Sequence, residues 1–193
     1  MSHLLQFDRS IFLYFNNLRG QWTDALFLLI TNPLVWLPLI AFALFLIIKT
    51  YRKKAVAILI VVVISLIICD QTCNLIKTHV QRLRPSHDPA LVEEVHLAKR
   101  ADGTVYRGGS YSFPSGHAAN SALFAIFIIY FLPKHRKWLI PIFAFWVLLF
   151  SYSRIYLGVH YPLDIFGGYL LASFLALLGI WGMKQGNRLK MFF

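Results

Sequence analysis

Three short clusters of polar residues stand at the edges of long apolar runs, and their residue types suit chemistry on a phosphoryl group. They are Lys77-Thr-His-Val-Gln-Arg-Leu-Arg84-Pro85, Pro114-Ser115-Gly116-His117, and Ser153-Arg154-Ile-Tyr-Leu-Gly158-Val-His160-Tyr-Pro162-Leu-Asp164. Lys77, Arg84 and Arg154 are cations at a membrane boundary, where an unpaired charge is costly. Glu93 and Glu94 are available as partners, but three cations beside a helix N-terminus better cradle a multiply charged group with several oxygens, and phosphate fits best. Ser115 is placed to cap a helix, and Gly116 leaves the backbone open, so the free amides there can bind a phosphoryl oxygen.

The histidines complete the set. A helix can begin at Pro162, which leaves Asp164 in its first turn and within reach of His160. Asp164 would hold the proton of one ring nitrogen so that the other attacks phosphorus. His117, at the mouth of another helix, is the candidate acid for the leaving oxygen. Nucleophile, acid and charge clamp are then present without a metal, and no cofactor is expected.

The elements that must position these groups lie in a membrane. Of the 193 residues, 58% are apolar and 14% are charged, too few charges to cover a water-exposed globule. A balance of 19 Lys+Arg against 8 Asp+Glu could suggest nucleic acid, but the cations fall between apolar runs instead of on one soluble face, so no nucleic-acid partner is expected. Apolar runs cover residues 25–48, 55–76, 118–132, 138–152 and 163–183. A spanning helix needs about 20 residues, so the third and fourth look short, which predicts polar helix ends recessed in protein. The first run is broken at Thr31-Asn32-Pro33, as one kinked span or as an interfacial helix followed by a span.

Residues 1–22 carry apolar side chains at near-helical spacing among Asp8, Arg9, Asn16 and Asn17, the pattern of an amphipathic helix lying in the interface. The fold class expected is all-α: a single polytopic membrane helix bundle of about five transmembrane helices plus this interfacial helix. Lys49, Arg52, Lys53, Lys54, Lys134, Arg136, Lys137, Lys184, Arg188 and Lys190 share one side with no acid, which predicts that side as cytoplasmic and the clusters as facing away from it. The start of the chain does not resemble a cleaved signal peptide, so the first span is expected to target the protein. Cys69 and Cys73 read as small membrane-packed residues.

The motifs Lys77-x6-Arg84-Pro85, Pro114-Ser115-Gly116-His117 and Ser153-Arg154-x5-His160-x3-Asp164 together resemble the three-part signature of the type 2 phosphatidic acid phosphatase and vanadium haloperoxidase superfamily. The resemblance covers residues 77–164, and the surrounding spans fit its membrane lipid phosphatase branch, which includes undecaprenyl diphosphate phosphatases and lipid A phosphatases. It implies that Lys77, Arg84, Ser115, Gly116 and Arg154 bind phosphate. His117 is implied as the acid, His160 as the residue that becomes phosphorylated, and Asp164 as its orienting partner. Membrane relatives often have six spans; here the amphipathic N-terminal segment stands in place of the first.

The activity this implies is metal-independent hydrolysis of a lipid phosphate or diphosphate at the non-cytoplasmic face of a bacterial cytoplasmic membrane. Among family substrates undecaprenyl diphosphate suits a small chain, with phosphatidate, phosphatidylglycerol phosphate and lipid A phosphates as competitors. Phosphate transfer between lipids, vanadate-dependent halide oxidation and non-enzymatic lipid binding are the alternatives; the spans argue against the second, and intact His117, His160 and Asp164 against the third. Asp70, two helical turns before Lys77, is expected as a structural partner for a site cation. His79, His87, Asp88 and His96 are too irregularly spaced to favour a metal site. Tyr156 and Tyr161 are expected as wall or interface aromatics, and the loop 86–112 as a headgroup-selecting element or a disordered connector.

Overall fold

The computed structural model describes residues 3–185, which form helices and irregular segments joined by two isolated β-bridges. Helices α1 (His3–Asn16) and α2 (Gln21–Ile30) precede a 3-10 turn at Pro33–Trp36, then α3 (Leu37–Tyr51), α4 (Ala55–Val80), α5 (Gly116–Phe131), α6 (Arg136–Tyr156) and α7 (Pro162–Gln185). The break expected at Thr31-Asn32-Pro33 separates α2 from the turn leading into α3. Asn32 caps that turn by accepting from the Leu34 amide, and Pro33 supplies a fixed φ at its start.

The stretches Pro33–Val80, Pro133–Tyr156 and Pro162–Lys184 are long and apolar enough to cross a membrane, and the shorter Gly116–Phe131 is apolar throughout most of its length. The first stretch holds two antiparallel helices. Trp36, before α3, packs on Trp146 and Phe150, whereas Tyr51 at the far end of α3 donates to the Phe131 carbonyl at 2.7 Å. The chain turns at Arg52, with φ of 50°, and α4 runs back to bring Lys77 beside Gly116. The all-α membrane bundle expected from the sequence is the fold observed.

Helix α5 is the axis of the bundle. Leu123, Phe127 and Ile128 on it are fully buried, as are the small residues Ala118 and Ala119 facing α7. Small residues let two membrane helices approach closely. Gly168 of α7 is required there, since a Cβ would stand 2.7 Å from the Ser115 carbonyl oxygen. At about 1.5 Å per residue, the 16 residues of α5 reach about 24 Å, less than the roughly 30 Å of hydrocarbon. Its Ser115 end is accordingly recessed and fully buried. On the outside of the bundle Phe45, Ile64, Phe145 and Phe174 are exposed, as lipid-facing side chains must be.

Helix α1 lies against this bundle with its polar stripe turned inward. Asp8, Phe12 and Asn16, four residues apart, are its buried positions, while Leu4, Phe7 and Tyr14 are exposed. Asn16 donates to the Tyr156 carbonyl at 2.7 Å and accepts from the His96 amide at 2.8 Å, tying α1 to α6 and to the long loop. That loop is packed, with Leu91 and Ala98 buried. Lys49, Lys54, Lys134 and Lys184 lie at the end of the bundle opposite the site; Arg188 and Lys190 fall outside the described residues.

Candidate active site

Each polar cluster is delivered by a helix end. Lys77 is in the last turn of α4, which stops at Gln81 in the left-handed region, with φ of 50°. The chain then runs extended, with Leu83 bridged to Tyr111, and carries Arg84 into the interior. The Arg84 Nε donates to the Tyr111 carbonyl at 3.0 Å, while its buried Nη1 has no hydrogen-bond partner among the described residues. Burial, then the nearby Arg154, lowers the Arg84 pKa to about 10, so it is charged at neutral pH.

Ser115 caps α5 by accepting from the Ala118 amide, and its own amide donates to the Asp164 carbonyl at 2.9 Å. Gly116 follows, and a Cβ there would lie 3.7 Å from Lys77 Nζ, so the absent side chain leaves room beside the lysine. His117 packs against Phe150 and lines a cavity of about 440 Å³ together with Lys77, Arg84 and Gly116. At the end of α6, Arg154 is 2% exposed; its Nη1 donates to Tyr106 Oη at 2.7 Å and to Thr31 Oγ1, and its Nε has no partner among the described residues.

The turn from α6 to α7 passes through Gly158, whose φ of 71° favours glycine and whose Cβ would strike Leu97 at 2.8 Å. The turn buries His160 and Asp164 together, at 1% and 0% exposure. His160 Nδ1 is 3.5 Å from Asp164 Oδ2, an ion-pair distance longer than a hydrogen bond. Burial, then the charges of Arg84, Arg154 and Lys77, holds the His160 pKa well below the ordinary imidazole value of 6.5. The ring is neutral at pH 7, the state in which a nitrogen lone pair is free.

The structure thus gathers Lys77, Arg84, Ser115, Gly116, His117, Arg154, His160 and Asp164 around one recessed mouth, and adds residues that the motifs do not contain. Asp164 Oδ1 accepts from Arg82 Nη1 at 2.8 Å, and Arg82 Nη2 donates to Asp8 Oδ2 at 2.5 Å. Asp8 also accepts from the Leu163 amide at 2.9 Å, satisfying one free donor at the start of α7. The Arg82 guanidinium lies 4.0 Å from the centre of the Tyr161 ring. The inward polar stripe of α1 therefore supports the histidine-aspartate pair from behind.

Of the other residues that the sequence singles out, the two tyrosines depart from expectation. Asp70 accepts from Asn74 at 3.2 Å and from Asn120 at 3.5 Å, and its charge acts on Lys77 without a direct ion pair among the described residues, in keeping with a structural partner for a site cation. Tyr156 and Tyr161 are core residues, with hydroxyls donating to Asp24 at 2.6 Å and Asp88 at 3.1 Å. Thr31, at the break before the 3-10 turn, accepts from Arg154. His79, His87, Asp88 and His96 go to separate partners: the Leu75 carbonyl, Ser86, Arg9 and Asp24.

A recessed cation cradle at a helix N-terminus, with a buried histidine-aspartate pair, inside a membrane bundle, defines a phosphoryl-group enzyme acting at a bilayer. The chain belongs to the PAP2 superfamily, whose model matches residues 54–188, and falls in its membrane lipid phosphatase branch. It is 38% identical over 173 residues to a lipid A 4'-phosphatase of Porphyromonas gingivalis, covering 87% of this chain and 69% of that one. It is 33% identical over 146 residues to an undecaprenyl-diphosphatase of Sulfolobus acidocaldarius, covering 76% and 62%. The fold is similar to that of a transmembrane PAP2-type phosphatidylglycerolphosphate phosphatase from Bacillus subtilis, with a TM-score of 0.67 and 27% identity over 97% of this chain and 90% of that one.

Proposed function

We propose that the protein hydrolyses a lipid phosphate monoester through a phosphohistidine on His160. The observation that carries this reading is the buried His160–Asp164 pair, 3.5 Å apart, within the field of Lys77, Arg84 and Arg154. The phosphate enters the cradle of those cations and the amides at the start of α5. Since Nδ1 faces Asp164, Nε2 attacks phosphorus; the bond from phosphorus to the lipid oxygen breaks, and His117 gives that oxygen a proton. Water then cleaves the phosphorus–nitrogen bond, returning its proton to His117, and inorganic phosphate leaves. The cations stabilise charge that grows on the phosphoryl oxygens in both steps.

An acylated glycolipid of the lipid A type is the first substrate class, ahead of undecaprenyl diphosphate. The relative named for lipid A aligns over more residues at higher identity than the one named for the prenyl diphosphate. The cation-rich end of the bundle opposite the site supports a cytoplasmic orientation for that end, with the site on the other face of a bacterial cytoplasmic membrane. The test is phosphate release by the purified protein in detergent, with and without EDTA, from lipid A, prenyl diphosphates, glycerophospholipid phosphates and sugar phosphates. EDTA-resistant release from one lipid class, abolished in His160→Ala, is expected. His160→Ala retaining most of the activity would overturn the assignment of the nucleophile.

A further inference from the structure

We propose that the crevice beneath the phosphate cradle selects lipid phosphates that carry an amide or hydroxyl group close to the phosphate, and disfavours purely hydrocarbon chains. This rests on the phosphatase reading above and deepens it. The cavity of about 440 Å³ that begins at Lys77, Arg84 and His117 continues between α3, α4, α5 and α6, walled by apolar side chains such as Trp36, Ile40 and Leu66. A crevice for a prenyl or alkyl chain needs no more than that. This one also carries Asp70, Asn120 and Trp146. Two of their polar atoms are buried without any hydrogen-bond partner among the described residues: the acceptor Asn120 Oδ1 and the donor Trp146 Nε1. Trp146 as a whole is 5% exposed.

Unpartnered buried polar atoms are costly. The two atoms are covered, but both belong to residues that line one crevice, and a side-chain rotation would present a donor and an acceptor to a ligand that offers both, as an amide N–H and C=O or a hydroxyl does. Their depth suits such a ligand. Asn120 is four residues along α5 from Gly116, about 6 Å, and Trp146 is eight residues along α6 from Arg154, about 12 Å. Asp70, held by Asn74 at 3.2 Å and Asn120 at 3.5 Å, adds a carboxylate that a substrate N–H or hydroxyl can reach. An N-acylated or hydroxyacylated sugar phosphate presents its first such groups within that span, whereas a polyprenyl chain presents none. A site built to pair a polar group rejects analogues that lack it.

The experiment compares two monoesters, an N-acyl glucosamine phosphate lipid and geranylgeranyl monophosphate, with the purified full chain and with Trp146→Phe and Asn120→Leu. The quantity read is the ratio of kcat/KM for the two lipids, which does not depend on the fraction of each preparation that is folded. Wild type is expected to favour the acylated sugar, and each variant to reduce the ratio about tenfold, as one lost hydrogen bond would. A wild-type preference for the prenyl chain, or a ratio unchanged by both substitutions, overturns this inference alone. Phosphate release from neither lipid nor any other in the panel overturns the phosphatase reading and this inference with it.

Discussion

The two sides of His160 are built from the same residue type used in opposite ways. On the proposed substrate side, Arg84 and Arg154 are 8% and 2% exposed, yet among the described residues Arg84 Nη1 and Arg154 Nε have no hydrogen-bond partner. On the far side, Arg82 is spent on Asp164 at 2.8 Å and Asp8 at 2.5 Å, with its plane over Tyr161. Buried cations that have neutral hydrogen-bond partners but no carboxylate among the described residues suit the proposed role of meeting an anion that comes and goes, while a cation paired between two carboxylates is fixed scaffold. Pairing state, not residue type, separates binding from positioning here.

The sharpest way to break that distinction is to remove one arginine from each side. Arg154→Ala is expected to lower kcat/KM roughly 10³-fold, because the guanidinium meets phosphoryl charge in both ground and transition states. Both parameters should suffer, KM rising and kcat falling. Arg82→Ala should instead lower kcat about 100-fold at little change in KM, since it shifts the histidine-aspartate pair without touching phosphate. It should also destabilise the protein by roughly 3–5 kcal/mol, because Asp8 and Asp164 lose their shared counter-ion in a buried place. Steady-state kinetics with thermal unfolding in detergent separates the two patterns. An Arg82→Ala enzyme with raised KM and normal kcat would place that arginine on the substrate side.

A pH profile sharpens the same contrast. Cations beside an imidazole disfavour its protonation, and His160 is held well below 6.5 by burial and by Arg84, Arg154 and Lys77. On the proposed mechanism His160 cannot attack once protonated below its pKa, so removing a neighbouring cation must move the acid limb of kcat/KM to higher pH. Arg84→Gln is expected to show that upward shift relative to wild type. A limb that moves down, or stays in place, would mean that another group controls it.

What was legible in the sequence divides along the same line. Lys77, Arg84, Ser115, Gly116, His117, Arg154, His160 and Asp164 stand at helix ends in recognisable spacings, so the substrate side could be drawn from the chain alone. The supporting side could not, because its pairs join distant segments: Arg82 and Asp8 are 74 residues apart, and Arg154 and Thr31 are 123 apart. The amphipathic period of α1 was visible, but period alone does not say whether the polar stripe faces water or protein. Asp8 and Asn16 face protein, where Arg82 and the His96 amide meet them, while Leu4, Phe7 and Tyr14 are among the exposed residues. The long loop was legible as polar and too long for a simple link, yet its anchors are single residues, Leu91 and Ala98, that no periodicity marks.

That loop supplies the smallest expected effect, and it tests where the substrate side ends. Tyr106 lies on the bridged segment facing Lys99, its amide donates to the Ala98 carbonyl at 3.0 Å, and Arg100 lies 5.0 Å from its ring centre. Its hydroxyl meets Arg154 Nη1 at 2.7 Å, so the loop holds in place one of the arginines proposed to bind phosphate. Tyr106→Phe keeps the ring and removes only that bond. Arg154 retains Thr31, and the loss corresponds to one hydrogen bond to a charged group, or about 10-fold in affinity. Inhibition by inorganic phosphate reads this directly, and its inhibition constant should rise about that much while kcat changes little. A fall in kcat as deep as that of Arg154→Ala would show that the loop sets the reacting geometry itself, and the boundary between binding and positioning would then run through Tyr106.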